Sequence, residues 1–279
     1  MPRVLVAGDV KGQYKKLFNQ ITKIQSKTGT FDALFCVGTF FDPDRAPDVA
    51  LEPYLTGRER IPIPCYFVCG REGAGSTGLI DAHPDGVEIC KNLIYLGRHG
   101  RKDVSGLTVC YLSGIHEEAF YGAADPPPDS DKKYYSAYHE EHVEEALIAG
   151  YGYKKEKCID VLLTAEWGHK WGNLLIEAPG FGHEIEGSPG VHRLGSELSP
   201  KYHFAATENI HFALPPYRNF QQLGITRFNA LASLGNEQKA KALQVLCCLL
   251  FILCFVDFDL VQCFTGIQHH APQRASVRC

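Results

Sequence analysis

Residues 8–12 read Gly8-Asp9-Val10-Lys11-Gly12, and the two patterned segments on either side of them decide the expected fold. A short apolar run at residues 4–7 comes directly before them. Apolar side chains at helical spacing follow over residues 14–24, and Gly29 is a typical helix stop. The stretch therefore predicts a buried strand, a glycine turn and an amphipathic helix, with Asp9 and Lys11 in the turn.

Apolar runs followed by turns recur along the chain. Runs expected to form strands lie at residues 33–37, 65–69, 107–113, 159–164, 202–206, 210–214 and 226–232. An apolar stripe within residues 135–147 predicts a second amphipathic helix, whereas the glycines and prolines of residues 179–200 predict a long loop. Strands that alternate with helices and end in glycine turns are typical of an α/β sheet with its site at the strand ends.

Composition and charge exclude some classes of function. The chain has 279 residues and a formal net charge of −4, which is not the basic signature of a nucleic-acid-binding chain. The N-terminus lacks the apolar core of a signal peptide, which favours the cytosol or nucleus. The eleven cysteines are therefore expected to be buried free thiols, and Cys65 and Cys69 lack the spacing of zinc ligands.

The composition changes from residue 242 onwards. Residues 245–256 form an uninterrupted apolar run, and a polar end follows. A membrane-spanning helix needs about 20 apolar residues, and Asp257 and Asp259 interrupt this run too early. We therefore expect a folded domain at residues 1–241 and an apolar, cysteine-rich tail at residues 242–279. The tail is expected to be a buried or ill-folded appendage rather than a membrane anchor.

Several matches in one order give the chain a family resemblance. The matching stretches are residues 8–12, 35–41, 95–98, 111–114, 216–219, 226–232 and Leu198-Ser199-Pro200-Lys201-Tyr202-His203-Phe204-Ala205-Ala206. Residues 1–241 resemble the metallophosphoesterase domain of the RNA lariat debranching enzyme. They resemble more closely the related N-terminal domain of the CwfJ (Cwf-nineteen-like) splicing proteins. The resemblance implies an α/β fold of the metallophosphoesterase-like (calcineurin-like) type, a β-sandwich flanked by helices.

The metal-ligand positions of that family are changed in this chain. Asp9 matches the first metal-binding Asp, but Lys11 replaces its His partner, and a Lys ammonium has no lone pair for a cation. The other changed positions are Thr39, in place of the bridging Asp, with Arg71, Glu72, Ala165, Thr207 and Asn209. The resemblance thus implies a degenerate site without catalytic residues, metal or cofactor. We expect Lys11 and Arg71 to pair with Asp9 and Glu72 in that cleft, although Asp9, Glu72 and Glu208 also have the oxygens for a hard cation.

The function implied by the resemblance is that of a non-catalytic pseudo-phosphoesterase adaptor in pre-mRNA splicing and intron-lariat turnover. Its expected compartment is the nucleus, and its expected partners are the debranching enzyme and post-splicing spliceosomal complexes. The alternative is a residual metal-dependent RNA phosphodiesterase, or an RNA-binding module of the same cleft. RNA or partner contacts are expected at Lys11, Arg71, Trp167, Lys201 and Tyr202. The Cys/His-containing C-terminal region of longer CwfJ proteins is missing, so a shortened product is expected.

Two further motifs have simpler interpretations. Residues 70–77 follow a predicted strand and resemble a phosphate-binding loop, but Ser76 stands where the phosphate-binding Lys belongs. A flexible turn is the expectation there. His116 with its two following glutamates, and Glu166, have the chemistry for acid/base work, yet no nucleophile lies at a diagnostic spacing. Polar structural roles are therefore expected for these side chains.

Overall fold

The structure is a computed structural model, and it describes residues 2–45, 48–72, 77–123, 136–154, 159–171, 185–218 and 225–247. The described residues form two mixed sheets. The first sheet has, in spatial order, β13 (Leu243–Cys247), β1 (Arg3–Ala7), β2 (Ala33–Cys36), β3 (Cys65–Phe67), β5 (Leu93–Tyr95) and β4 (Val87–Cys90). In it β1, β2, β3 and β5 run parallel, and the two edge strands run antiparallel to their neighbours.

The second sheet has the order β10 (Phe212–Ala213), β12 (Ile225–Ala230), β9 (Tyr202–Ala205), β8 (Val161–Thr164), β7 (Leu107–Leu112) and β6 (His99–Val104), with β11 (Tyr217–Arg218) also paired to β12. Its four central strands, β12, β9, β8 and β7, are parallel. The described helices are α1 (Tyr14–Thr28), α2 (Glu52–Leu55), α3 (Thr77–Ile80), α4 (Glu118–Tyr121), α5 (Glu140–Lys154) and α6 (Pro189–Leu198).

Side chains that alternate along the strands separate into three apolar layers. Val4 and Phe35 of the first sheet meet Leu163 and Phe204 of the second in the layer between the sheets. The outer face of the first sheet packs against the buried stripe of α1, Tyr14, Leu17, Phe18 and Ile21. The outer face of the second sheet packs against α5 and α6. The predicted α/β sandwich flanked by helices is therefore confirmed.

One predicted loop contains a helix. Residues 179–200 were expected to lack regular structure, but residues 189–198 form α6, so this prediction was wrong for the described part of the segment. Ser188 caps the helix by accepting a hydrogen bond from the Val191 amide at 3.1 Å, and Pro189 follows at the first helical position. The glycines serve close packing, since a Cβ at Gly195 would lie 2.7 Å from the Trp171 ring.

The predicted domain boundary after residue 241 falls just before a strand. Over Leu243–Cys247 the chain pairs antiparallel with β1, so these residues of the predicted tail extend the first sheet. The rest of the tail, and residues 73–76 of the loop that resembles a phosphate-binding motif, lie outside the described residues. In the described part of the chain, no helix has the length and apolarity needed to cross a bilayer.

The described cysteines agree with the expectation of free thiols. Cys36, Cys65, Cys69 and Cys110 are buried and Cys90 is half-buried, and none of these five is in a disulfide. Cys36 and Cys65 lie on neighbouring strands with their sulfur atoms 3.7 Å apart. Burial raises the pKa of the Cys69 and Cys110 thiols, the latter to about 12, which keeps them protonated and unreactive at neutral pH.

Candidate functional site

The carboxyl ends of the parallel strands of both sheets meet in one cleft. The turn after β1 accepts a hydrogen bond across the sheets, from the Leu234 amide to the Asp9 carbonyl at 2.8 Å. The turns after β3 and β7 are joined by the Gly114 amide, which donates to the Cys69 carbonyl at 2.7 Å. The predicted convergence of glycine turns is thus present, because the carboxyl ends of parallel strands share one edge of a sheet.

Asp9 is fully buried at the centre of this cleft and accepts from three donors. Its Oδ1 accepts from the Thr39 amide at 2.8 Å, and its Oδ2 accepts from the Ser233 hydroxyl at 2.8 Å. The Lys11 Nζ lies 3.3 Å from Oδ2 and also donates to Ser233 Oγ at 3.1 Å. The predicted pairing of Lys11 with Asp9 is therefore present, with Ser233 as a third member.

The backbone at Gly38 is built around the Asp9 carboxylate. Gly38 has a φ of +81°, and a Cβ there would lie 2.1 Å from Asp9 Oδ1. Only a residue without a side chain allows this approach, which brings the Thr39 amide onto the carboxylate. The glycine that closes the second predicted strand thus positions the donor that holds Asp9.

Glu72 is buried and anchors two turns through its carboxylate. Its Oε1 accepts from the Phe40 amide at 2.8 Å and from the Gly70 amide at 3.1 Å, and its Oε2 accepts from the Phe41 amide at 3.0 Å. Burial raises the pKa of this carboxyl to about 7, the backbone donors oppose that rise, and the nearby Asp9 charge adds to it. Glu72 therefore joins the β2 and β3 turns.

The predicted pairing of Arg71 with Glu72 was wrong. The Arg71 guanidinium is largely exposed and lies 3.3 Å from a carboxylate oxygen of Glu117 instead. The Arg71 side chain therefore faces outward, whereas the Glu72 carboxylate is directed at the buried amides of the turns. The cation nearest to the buried centre is consequently Lys11 rather than Arg71.

The other predicted positions line the same cleft in structural roles. Thr39 is buried and supplies its amide to Asp9, and Ala165 is buried and accepts from the Ala206 amide at 3.0 Å through its carbonyl. Thr207 and Asn209 have φ of +74° and +55°, and the Asn209 side chain accepts from the Ser233 amide at 3.0 Å. Thr39, Ala165 and Asn209 thus lie in turns that follow the strands of the two sheets.

Glu166 is a second carboxyl of the cleft, and it is half-buried. Its Oε2 accepts from the His116 amide at 2.7 Å and from the Tyr138 hydroxyl at 3.5 Å. Burial raises the pKa of this carboxyl to about 7, and the charge of Glu208 adds to the rise. The sequence predicted a polar structural role for Glu166, and in the structure its carboxylate accepts from the His116 amide and the Tyr138 hydroxyl.

Three of the predicted RNA contacts do not reach the cleft surface. Trp167 is 1% exposed and its ring stacks on Phe212 with centroids 5.3 Å apart. Lys201 and Tyr202 lie at the amino end of β9, whereas the cleft is at its carboxyl end, and Lys201 Nζ donates to Asp160 at 2.7 Å. The expectation that these three join Lys11 and Arg71 in one surface was wrong.

Sequence reasoning missed two serines that complete the site. Ser233 joins Asp9, Lys11 and Asn209, and Ser136 accepts from the Glu72 amide at 2.8 Å. Ser233 follows β12 at the same edge as the other turns, so its position after a predicted strand was an available signal. Ser136 comes from the segment before α5, and its place beside Glu72 carries no local signal in the sequence.

The carboxylates of this cleft do not fit the two-metal site of metallophosphoesterases. Asp9 and Glu72 each accept from three donors, so their lone pairs are directed at N–H, O–H or ammonium groups. The Lys11 ammonium would repel a cation at Asp9. Among the residues that the structure describes, no group of three or more His, Cys, Asp or Glu side chains is arranged to hold a metal ion.

The two sheets, their flanking helices and the cleft at the strand ends define a metallophosphoesterase-like fold. A crystal structure of TT1561 from Thermus thermophilus has the same fold, with a TM-score of 0.52 at 15% identity over 83% of this chain and 89% of that chain. The chain is 36% identical over 249 residues to CWF19-like protein 1 of Pongo abelii and 34% identical over 247 residues to that of Xenopus laevis. Over that matched region the chain is similar to the CWF19-like proteins, which confirms the predicted resemblance.

The match covers most of this chain but less than half of its relatives. It includes 86% of this chain and 43% of each of the two CWF19-like proteins. No protein-family model matches the chain. The matched region therefore does not by itself give this chain the activity or the partners of the full-length relatives.

Proposed function

We propose that this chain is a non-catalytic, phosphoesterase-like adaptor of pre-mRNA splicing and intron-lariat turnover that acts in the nucleus. The relatives named CWF19-like protein 1 support a role in splicing or RNA processing. The resemblance of the turns to CwfJ splicing proteins supports the pathway, and its implied partners are the debranching enzyme and post-splicing spliceosomal complexes.

The non-catalytic part of the proposal rests on the cleft carboxylates, which are hydrogen-bonded by other groups of the protein. A two-metal phosphoesterase needs free oxygen lone pairs for its ions, together with a bridging anionic ligand. Here Thr39 takes the bridging position, and its amide and Lys11 instead bind Asp9. Glu72 uses its carboxylate to hold the amides of two turns. The charges of the cleft are thus compensated by the protein itself.

Metal content and turnover test this part of the proposal. The purified 279-residue chain, incubated with Mn²⁺ or Fe²⁺ and desalted, is expected to retain no stoichiometric metal by elemental analysis. It is also expected to leave 2′,5′-branched RNA intact. Turnover that is lost on Asp9→Ala would show an active metal site and overturn the non-catalytic assignment.

Direct binding tests the adaptor part. Immobilised full-length chain is expected to retain purified debranching enzyme or isolated post-splicing spliceosomal complexes, and a bead-bound unrelated acidic protein serves as the control. Failure to retain either partner at low salt would contradict the adaptor role, whatever the result of the turnover assay.

A residual phosphodiesterase is the second candidate, and the environment of Glu166 is the observation that favours it. Partial burial raises the pKa of this carboxyl to about 7, which suits proton transfer at neutral pH. If it acts in turnover, Glu166→Gln removes metal-dependent cleavage of branched RNA while leaving the fold intact. Identical turnover in the variant and the parent chain would exclude that role.

A further inference from the structure

The layer between the two sheets opens into a groove at the flank bordered by the edge strands β4 and β6. In the first sheet, Tyr66, Ile94 and Glu88 are register partners on β3, β5 and β4, so their side chains form one row on the same face. In the second sheet, Lys102 of β6 is paired with Val109, whose side chain is buried between the sheets. That row and Lys102 line a groove of about 420 Å³, here called the flank groove.

The flank groove has an apolar floor that the described residues leave half-covered. Tyr66 packs against the layer between the sheets, with its ring centroid 6.0 Å from that of Phe35, yet Tyr66 and Ile94 are only half-buried. Further inward in the same layer, Phe35 and Val109 are fully buried. Because packed sheets lie about 10 Å apart, a flat apolar group that enters from the flank extends this layer. A groove of this volume is large enough for a small molecule.

Two opposite charges line the flank groove without pairing with each other. Glu88 and Lys102 are exposed and belong to different sheets. Among the residues that the structure describes, neither of them forms an ion pair. Burial, and then the charge of Glu88, raises the pKa of the Tyr66 hydroxyl, which agrees with a carboxylate close to the apolar floor. A ligand that carries both an ammonium and a carboxylate compensates both charges of the groove.

The backbone around Glu88 holds its carboxylate in place. The pairing of β4 with β5 has a bulge between Glu88 and Cys90, and Asn92 has a φ of +69°. The Asn92 amide donates to Glu88 Oε1 at 3.1 Å, and the Asn92 side chain donates to the Ile61 carbonyl at 3.0 Å. Bulges at sheet edges direct side chains in this way. One carboxylate oxygen is thus fixed by the backbone, and Oε2 remains available to a ligand.

We propose that the flank groove binds a small zwitterion with a flat apolar part, of which an aromatic α-amino acid is the simplest example. The ligand carboxylate pairs with Lys102, its ammonium pairs with Glu88, and its ring covers Tyr66 and Ile94. A residue inside a peptide chain has neither charge on its backbone, and a simple anion leaves Glu88 uncompensated. The inference goes beyond the adaptor role, and the groove is separate from the cleft around Asp9.

Titration of the full chain with three related probes tests the charge requirement. Binding of L-tryptophan is measured by ligand-observed NMR, and the size of the ligand predicts a Kd on the order of 1 mM. N-acetyl-L-tryptophan lacks the ammonium and tryptamine lacks the carboxylate, so each is expected to bind about fivefold more weakly, the effect of one exposed ion pair. No binding of L-tryptophan, or equal affinity for the three probes, would overturn the proposal.

Two variants link each ligand charge to its residue. Lys102→Ala is expected to reduce the affinity for L-tryptophan to that for tryptamine and to leave tryptamine binding unchanged. Glu88→Gln is expected to do the same relative to N-acetyl-L-tryptophan, and the Gln oxygen still accepts from the Asn92 amide, so the fold is retained.

The matched control is Lys23→Ala, an exposed lysine of α1 on the outer side of the first sheet. It is expected to bind L-tryptophan as the parent chain does. Equal loss of affinity in the control, or a loss in Lys102→Ala that is the same for L-tryptophan and tryptamine, contradicts the proposal. The assay contains no RNA, metal or partner protein, so its failure leaves the proposed function unaffected.

Discussion

At the scale of single residues, Glu72 and Glu166 differ in how their charge is compensated. Glu72 accepts from three backbone amides, whereas Glu166 accepts from one amide and the Tyr138 hydroxyl. Burial raises the pKa of each to about 7 from an ordinary value of 4.5. Between those two pH values the folded protein binds more protons than the unfolded chain. Stability contributed by these groups is therefore full below about pH 4.5 and falls as the pH rises towards 7.

The first prediction concerns Glu166→Gln. The amide oxygen keeps the hydrogen bonds to the His116 amide and the Tyr138 hydroxyl, and the buried charge is removed. We expect the free energy of unfolding at pH 8 to rise by about 1–2 kcal/mol and its decline between pH 5 and 7 to become shallower. Urea denaturation at several pH values measures both effects, and a variant less stable than the parent chain at pH 8 would contradict the expectation.

Glu72→Gln is the isosteric control, and it is expected to act in the opposite direction. An amide has one acceptor oxygen, so at least one of the Phe40, Phe41 and Gly70 amides is left facing an NH₂ group. An unsatisfied buried donor costs about 1–3 kcal/mol, which lowers the stability at pH 8. Equal changes in both variants would show that charge burial alone governs these two sites.

Residue identity predicted part of this site. The pairing of Lys11 with Asp9 followed from two positions in one short turn, and the structure has it. Arg71 and Glu72 are also close in sequence, yet they face opposite sides of the chain. Trp167 is in the apolar core because the position after Glu166 points inward, which the residue type alone does not reveal. The direction of each side chain, and not its separation along the sequence, determined whether the predicted contact is present.

At the scale of elements, α6 shows how glycines conceal a helix. Val191, Leu194 and Leu198 are buried at helical spacing, so the apolar signal was present in the sequence. Gly190 and Gly195 counted against it because glycine weakens helices in general. A Cβ at Gly195 would lie 2.7 Å from the Trp171 ring, and one at Gly190 would lie 3.1 Å from the Tyr138 ring, so close packing offsets the lost propensity. The predicted apolar runs all contain strands, but the sequence missed β4, β5, β6, β11 and β13 among the described strands.

The second prediction concerns the cap of α6. Ser188→Ala removes the acceptor for the Val191 amide and the hydroxyl that contacts Tyr138. We expect a loss of about 1–2 kcal/mol in the free energy of unfolding. Ser196→Ala, in the half-buried interior of the same helix, is the control and is expected to be neutral within about 0.5 kcal/mol. Thermal denaturation of the two variants measures the difference, and equal melting temperatures would contradict a capping role.

At the scale of the whole molecule, β13 joins a segment near the end of the described chain to its beginning. Leu246 is 4% exposed and packs in the layer between the two sheets. The composition changes at residue 242, but the first sheet continues through residues 243–247. An edge strand and an apolar appendage both have an uninterrupted apolar sequence, so the sequence alone did not distinguish the two.

The third prediction measures how much the domain depends on β13. Leu246→Ala in the full chain is expected to lower the free energy of unfolding by about 2–4 kcal/mol, because it opens a cavity between the sheets. Ile148→Ala, at a side chain that is 68% exposed on α5, is the control and is expected to change it by less than about 0.5 kcal/mol. A change of equal size in both variants would show that β13 adds no stability.

The pairing of β1 with β13 also sets the order of events during synthesis. Residues 3–7 leave the ribosome early, but the strand that covers their second edge follows only with residues 243–247. At about 5–20 residues per second, the nascent chain waits roughly 10–50 s with that edge of β1 open. An open strand edge is a template for pairing with other chains. Until residues 243–247 emerge, the open edge of β1 is therefore a site where the nascent chain is exposed to pairing with other chains.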